Sequence, residues 1–390
     1  MAQLCLFMAM VSALFCWVFT LVCERLGTRA GALDGAGVAG QVKAPARRVP
    51  NIGGVAIFWS LAIPMLAVIA GVWLIGDAEL STRVPELAVH LKGLRSETPL
   101  ALTLLGCLAV LHVVGLIDDR RPLGPWIKMG VMAACAAAVT LTSSTRLLTA
   151  VDPHVGGHWL SVVLTVFWIV VITNAMNFID NMDGLSAGVG MIAGAAFMAA
   201  ALVNGQWFVA ATLALLVGSL AGFLIRNFPP AKIFMGDGGS LVLGFLLAFL
   251  TVRTTYYSSS AGTPLAGGWY GVFMPLIVLA VPLYDLASVV LIRVRQGRSP
   301  LVGDLQHLSH RLVRRGMSRR SAVLLIWGLT AATAIGGITL GSLHPWQAAL
   351  VGVQTLLILG VILVLEVATA PYIADDPKAM GPGRREGNGR

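Results

Sequence analysis

Long apolar runs broken by short polar stretches recur along the whole chain, at a length that suits helices crossing a bilayer. The first, Leu4 to Cys23, is long enough to span the ~30 Å hydrocarbon core at about 1.5 Å per residue. Ten more lie at about 51–76, 99–117, 129–143, 159–175, 187–204, 207–225, 239–254, 269–292, 321–341 and 346–369. Inside lipid each backbone N–H and C=O must be satisfied within its own segment, which a helix does. The pattern predicts an all-α, polytopic integral membrane protein of about eleven transmembrane helices, with polar loops free to carry chemistry. Residues 1–370 read as a single transmembrane domain. Residues 371–390, rich in Gly, Pro and charge, are expected to be a disordered tail. The longest outer segment, 77–98, shows no chemistry, and no repeat of fixed period is visible.

Composition agrees: 57% of the 390 residues are hydrophobic and 12% charged, with a mean hydropathy of +0.83. A soluble domain is nearer one quarter charged. All five cysteines (Cys5, Cys16, Cys23, Cys107, Cys135) fall in apolar runs without metal-ligand spacing, so they read as packing residues. The net charge of +9 raises nucleic acid as a partner until its distribution is read. The first run has no Lys or Arg before it and Arg25 after it, which predicts an N-terminus outside rather than a cleaved leader. Eleven spans then place the C-terminus in the cytoplasm. Of the 27 basic residues, only Arg83, Lys92, Arg95, Arg146 and Arg253 fall on outer segments, leaving 22 inside. That bias is a topology signal, and nucleic-acid binding is not expected.

This topology brings the polar motifs to one face. Asn174 to Leu185 reads NAMNFIDNMDGL, in which Asn174, Asn177, Asp180 and Asp183 recur every three residues at the inner end of a span. That spacing keeps them near one helix face. No Lys or Arg lies between Arg146 and Arg226, so these carboxylates have no counter-ion nearby in sequence and are expected to await a cation or polar substrate. On the same side come Asp118 and Asp119 in GLIDDRRPLGPWIK with Lys128, then Asn227, Asp237 in KIFMGDGGS, and His307 and His310 in GDLQHLSHRL. Each has a plainer reading: a solvated acidic loop, a glycine turn before a helix, a basic face on lipid headgroups. His112 is expected to pack by hydrogen bonding, and Asp285 is equally a functional candidate and a helix-to-helix contact.

Acids, amides, histidines and arginines gathered at a membrane surface suit Mg²⁺-dependent phosphoryl transfer. Mg²⁺ binds one or two carboxylates together with substrate phosphates, and Arg and His make charge-assisted hydrogen bonds to a diphosphate. The motifs DD-x-x-x-L-x-x-x-x-K at Asp118–Lys128, N-x-x-N-x-x-D-x-x-D-G-L at Asn174–Leu185, FMGDxGS at Phe234–Ser240 and the late H-x-x-H-R occur in order. Over about residues 4–370 the chain resembles the polyprenyl-phosphate N-acetylhexosamine-1-phosphate transferases, most of all the bacterial enzymes acting on undecaprenyl phosphate and UDP-N-acetylglucosamine. The resemblance implies transfer of a sugar 1-phosphate from the UDP-sugar to the lipid phosphate, with release of UMP. It implies Mg²⁺, or Mn²⁺ in its place, on Asp237 with Asp118 and Asp119, and catalytic roles for Asp118, Asp119, Asp183, His307 and His310. Lys128, Asn174, Asn177, Asp180, Asn227, Phe234, Arg311, Arg47 and Arg48 would bind substrates, Phe234 by stacking on uracil.

Two departures stand out: Ser309 lies where the family often has a His, and ARRVPNIGG carries Arg47 and Arg48 but no His. The resemblance further implies a bacterial inner membrane, an active site on its cytoplasmic face, a role in starting a cell-envelope glycan, and a homodimer as one option. The phospho-N-acetylmuramoyl-pentapeptide transferases are the nearest alternative. A secondary transporter is the alternative from another class, although its carboxylates would be expected near the bilayer midplane.

Overall fold

The computed structural model describes residues 1–33, 47–75, 82, 90–143, 145–254 and 269–367. The tail expected at 371–390 lies outside them, as do residues 77–81 and 83–89 of the expected outer segment. Among the described residues there is no strand, only an isolated antiparallel bridge between Leu33 and Pro50.

Thirteen helices are described: α1 (Ala2–Arg29), α2 (Gly53–Leu74), α3 (Leu91–Asp118), α4 (Pro125–Ser143), α5 (Trp159–Phe178), α6 (Leu185–Val203), α7 (Trp207–Asn227), α8 (Asp237–Arg253), α9 (Met274–Val278), α10 (Ala280–Arg295), α11 (Leu308–Arg314), α12 (Arg319–Thr339) and α13 (Pro345–Val367). Nine of them, α1 to α7, α12 and α13, are long and apolar enough to cross a membrane. The run expected as one span at 269–292 passes the same test only as a pair of helices, bent by 67° between Val278 and Ala280. Pro282 explains the break, because it has no N–H to give the Val278 carbonyl and its ring crowds that oxygen.

The one remaining expected span, at about 239–254, is α8. Its 17 residues reach about 26 Å, a little under the hydrocarbon thickness. Every residue from Gly238 to Val252 is buried. α2, α3, α5, α6 and α7 surround it. A helix apolar on all sides belongs in such a position. α13 is the opposite case, with Leu350, Leu356, Leu357, Val361 and Val364 all exposed, as suits a helix facing lipid.

Where lipid is as apolar as leucine, small polar side chains help to hold helices together. Ser12 of α1 donates to the Leu215 carbonyl of α7 at 2.8 Å, and Ser60 of α2 meets Ser219 of α7 at 2.7 Å. All five cysteines are buried and free. His112 packs as expected: its Nδ1 lies 2.8 Å from the Gly238 carbonyl and its ring stacks on Phe58 at 4.8 Å.

Candidate active site

The site is built at the N-terminus of the central helix. Gly236 holds a φ of +67°, which turns the chain so that the N–H groups of Asp237 and Gly238 point outward from α8. Asp119, just past the end of α3, accepts from both, its Oδ1 from Asp237 at 3.0 Å and its Oδ2 from Gly238 at 3.3 Å. Asn51 Nδ2 donates to the same Oδ1 at 3.0 Å. α3 comes this near because residue 115 is glycine: a Cβ there would lie 2.4 Å from the Asp237 carbonyl carbon and the Gly238 nitrogen. Burial, and then the charge of Asp237, push the Asp119 carboxyl up to about 7.

The Asp237 side chain faces two other helices. Asn177, in the last turn of α5, donates through Nδ2 to Asp237 Oδ1 at 3.0 Å and to Ser240 Oγ at 2.8 Å. Lys128 of α4 places its ammonium 2.8 Å from both Asp237 Oδ2 and Asp118 Oδ2. The other oxygen of Asp118 accepts the Leu123 N–H at 2.8 Å, which folds the α3–α4 turn back onto the site. Two carboxylates from separate helices therefore address one cationic point.

A second cluster forms around the turn between α5 and α6. Asp183 does have a counter-ion, contrary to the expectation drawn from its neighbours in sequence: Arg47 Nη1 lies 2.7 Å from both of its oxygens. The partner comes from 136 residues away, so the nearby chain gave no sign of it. Asp183 also accepts the Ala231 N–H at 2.8 Å. The Arg47 guanidinium lies over the Phe234 ring at 5.3 Å, so one face of that ring is covered. Asn227 is buried with both amide atoms engaged, accepting from the Gly184 N–H at 3.0 Å and donating to the Ile233 carbonyl at 2.8 Å. It acts here as a brace between the two loops. Asp180 is half-buried, and no described residue donates a hydrogen bond to its carboxylate. Burial and the charges of Asp237, Asp119 and Asp183 raise its pKa well above the ordinary value.

The third part is α11 and the segment before it. His307 is buried, with Nδ1 2.8 Å from Asp285 Oδ2, and its ring stands edge-on to Phe178 at 5.7 Å. Ser309 donates to Asn181 Oδ1 at 2.5 Å, tying α11 to the α5–α6 turn. Arg293, almost wholly buried, is paired through two nitrogens with Asp304 at 3.0 and 3.2 Å and lies over the same Phe178 ring at 5.4 Å. Burial and then the nearby charges of His307, Arg314 and Arg319 pull His310 down to about 4.

Not every residue expected at the site joins it. Asn174 donates to the Val170 carbonyl of its own helix at 2.8 Å and contacts Met132 Sδ at 3.4 Å, away from the carboxylates. Arg311 turns from the site toward α13, where Glu366 Oε1 lies 2.9 Å from its Nε, and it also donates to Ser288 and the Gln306 carbonyl. Arg48 is exposed. Asn51 and Asn181 join the site, and Glu366 holds Arg311, without having stood out in the sequence, and Ser240 stood out only as the last residue of FMGDxGS. Only Glu366 carried a signal of its own, as a single acid in an apolar run, where an ionised group needs a partner.

Among the described residues no three acidic, His or Cys side chains close a metal shell. Asp118 and Asp237 still fit a hard divalent ion, because both already turn an oxygen toward one cation, and Mg²⁺ completes its shell with water and phosphate oxygens. Asp119 has both oxygens occupied by N–H donors and is better suited to bracing α8 than to ligation.

Comparison with known proteins covers the same region. Residues 101–255, from α3 through α8, match the family model of glycosyl transferase family 4. The chain is 30% identical over 342 residues to a Bacillus subtilis protein named "Probable undecaprenyl-phosphate N-acetylglucosaminyl 1-phosphate transferase", covering 86% of this chain and 85% of that one. It is 34% identical over 292 residues to the decaprenyl-phosphate N-acetylglucosaminephosphotransferase of Mycolicibacterium smegmatis, covering 69% and 70%. Against the undecaprenyl-phosphate alpha-N-acetylglucosaminyl 1-phosphate transferase of Escherichia coli the identity is 28% over 250 residues, covering 62% and 65%.

Proposed function

The chain belongs to the polyprenyl-phosphate N-acetylglucosamine-1-phosphate transferases, and from that membership we propose that it moves N-acetylglucosamine 1-phosphate from UDP-N-acetylglucosamine to undecaprenyl phosphate. UMP leaves, and the product is a diphosphate-linked lipid sugar that starts a cell-envelope glycan. The observation that carries this reading is the meeting of Asp118, Lys128, Asn177 and Asp237 at one end of an otherwise apolar bundle. The 22-to-5 distribution of basic residues supports placing that end in the cytoplasm, where a nucleotide donor is found.

Each chain residue has a task in this scheme. The lipid phosphate, with a second pKa of about 6, is already largely dianionic at neutral pH and needs no strong base. One of its oxygens bonds to the sugar-bearing phosphorus in line as the bond from that phosphorus to the UMP oxygen breaks, and UMP carries away the electron pair. The Lys128 ammonium offers a positive charge to the incoming phosphate, and Asp118 sets where that ammonium stands. Asn177 fixes the Asp237 carboxylate, and Asp119 with Asn51 fixes the backbone beneath it. Asp237 and Asp118 would hold Mg²⁺ or Mn²⁺, which neutralises diphosphate charge when bound. Asp180, Asp183, Arg47 and Phe234 line the adjoining turn, suited to the nucleotide.

The test is a panel of UDP-sugars offered to purified protein with undecaprenyl phosphate, reading UMP. Release with UDP-N-acetylglucosamine that depends on the lipid supports the proposal. Turnover only with a muramoyl-pentapeptide donor would move the chain to that branch. Substrate flux across a vesicle without UMP would make it a transporter.

A further inference from the structure

An acid buried in a membrane helix needs a partner, and the partner of Asp285 is informative. Its carboxylate, on α10, is 1% exposed. Oδ2 lies 2.8 Å from His307 Nδ1, and Oδ1 accepts the Leu308 N–H at 2.6 Å. Both contacts go to the start of α11, more than twenty residues away in sequence. A carboxylate on Nδ1 sets the tautomer and plane of an imidazole and leaves Nε2 as its working atom. In this case Nε2 takes no hydrogen bond from any described residue. The ring sits against Phe178, which immediately follows the Asn177 that grips Asp237.

We infer that Asp285 is a positioning residue: it fixes the His307 ring so that Nε2 is presented to the diphosphate of the bound donor. This rests on the transferase reading above and adds a residue to it. α11 has a second, separate attachment. Arg311 is paired with Glu366 of α13 and donates to Ser288, one turn along α10 from Asp285. The helix therefore stays seated when Asp285 is changed, and the change acts on the imidazole. A merely structural Asp285 would behave otherwise, costing stability and not depending on what stands at position 307.

The experiment is a double-substitution cycle on full-length protein in detergent, measuring lipid-dependent UMP release, with a melting curve for each variant. Asp285→Asn keeps the side-chain size and can still accept the Leu308 N–H, but its N–H₂ would face Nδ1 and select the opposite tautomer, with the ring proton moved to Nε2. The expected result is a kcat about ten- to a hundredfold lower, with the donor KM changed by less than about threefold and the melting temperature close to wild type. In a His307→Gln background the same substitution should cost nothing further. Asp285→Glu, which restores a carboxylate, should recover part of kcat. Equal losses in both backgrounds would overturn the inference, as would an Asp285→Asn protein with wild-type kcat or one whose activity falls only as it unfolds. Wild-type protein that releases no UMP would instead remove the transferase reading, and this inference with it.

Discussion

At the mouth of α8 the Asp237 side chain takes hydrogen bonds from Lys128 and Asn177 while Asp119 holds its backbone N–H. Asp237→Asn keeps the shape and removes the charge, and a neutral amide is a much poorer ligand for a hard cation. Activity should fall more than about a hundredfold, measured as UMP release across a Mg²⁺ titration. Wild-type turnover at every Mg²⁺ concentration would remove Asp237 from the metal. His310 carries a pH prediction. Its pKa is pulled down to about 4, so between pH 4 and 6.5 the unfolded chain binds more protons at this residue than the folded one. Its contribution to stability is complete above pH 6.5 and is lost as the pH falls toward 4. His310→Asn should flatten the fall in melting temperature over that window, and an unchanged slope would mean that the ring is hydrated when folded.

Between elements, the close contact of α3 with α8 depends on a missing side chain. Gly115→Ala would set a Cβ against the Asp237–Gly238 peptide, where backbone cannot yield cheaply. Overpacking of this kind costs roughly 1–3 kcal/mol, and the shift would move Asp119 and Asp118 away from α8. Both the melting temperature and UMP release should drop, whereas Gly106→Ala on the same helix, with open space around it, should change neither. Short-range patterns made much of this legible in advance. Asp118 and Lys128 lie on either side of one turn, Asn177 ends α5, and Asp237 opens α8, so hydropathy and spacing placed them on one face. Partnerships across long sequence distances were not legible. Nothing near Asp183 announces Arg47, and nothing near Arg311 announces Glu366, because those pairs are set by which helices touch. For the same reason the sequence did not show that Arg311 is bonded to Glu366 and Asn174 to the Val170 carbonyl. The bend at 278–280 was written in the sequence as Pro282, but a hydropathy run averages over it.

On the scale of the whole molecule, the structure is a bundle whose centre is one buried helix and whose rim is apolar toward lipid, with the candidate site at the N-terminal end of α8. The charge bias supports our proposal that this end lies inside the cell. Fusion of alkaline phosphatase after α13 should therefore be inactive, and fluorescent protein at the same point bright. The reverse result would put the site on the wrong side for a nucleotide sugar. The most direct measurement follows the phosphorus itself: UDP-N-acetylglucosamine labelled in the β-phosphate, incubated with purified protein, Mg²⁺ and undecaprenyl phosphate. Transfer at this site requires the label to appear in the lipid fraction together with one UMP per label. Label that stays in water-soluble products when the lipid is present, or reaches lipid without UMP, would contradict it.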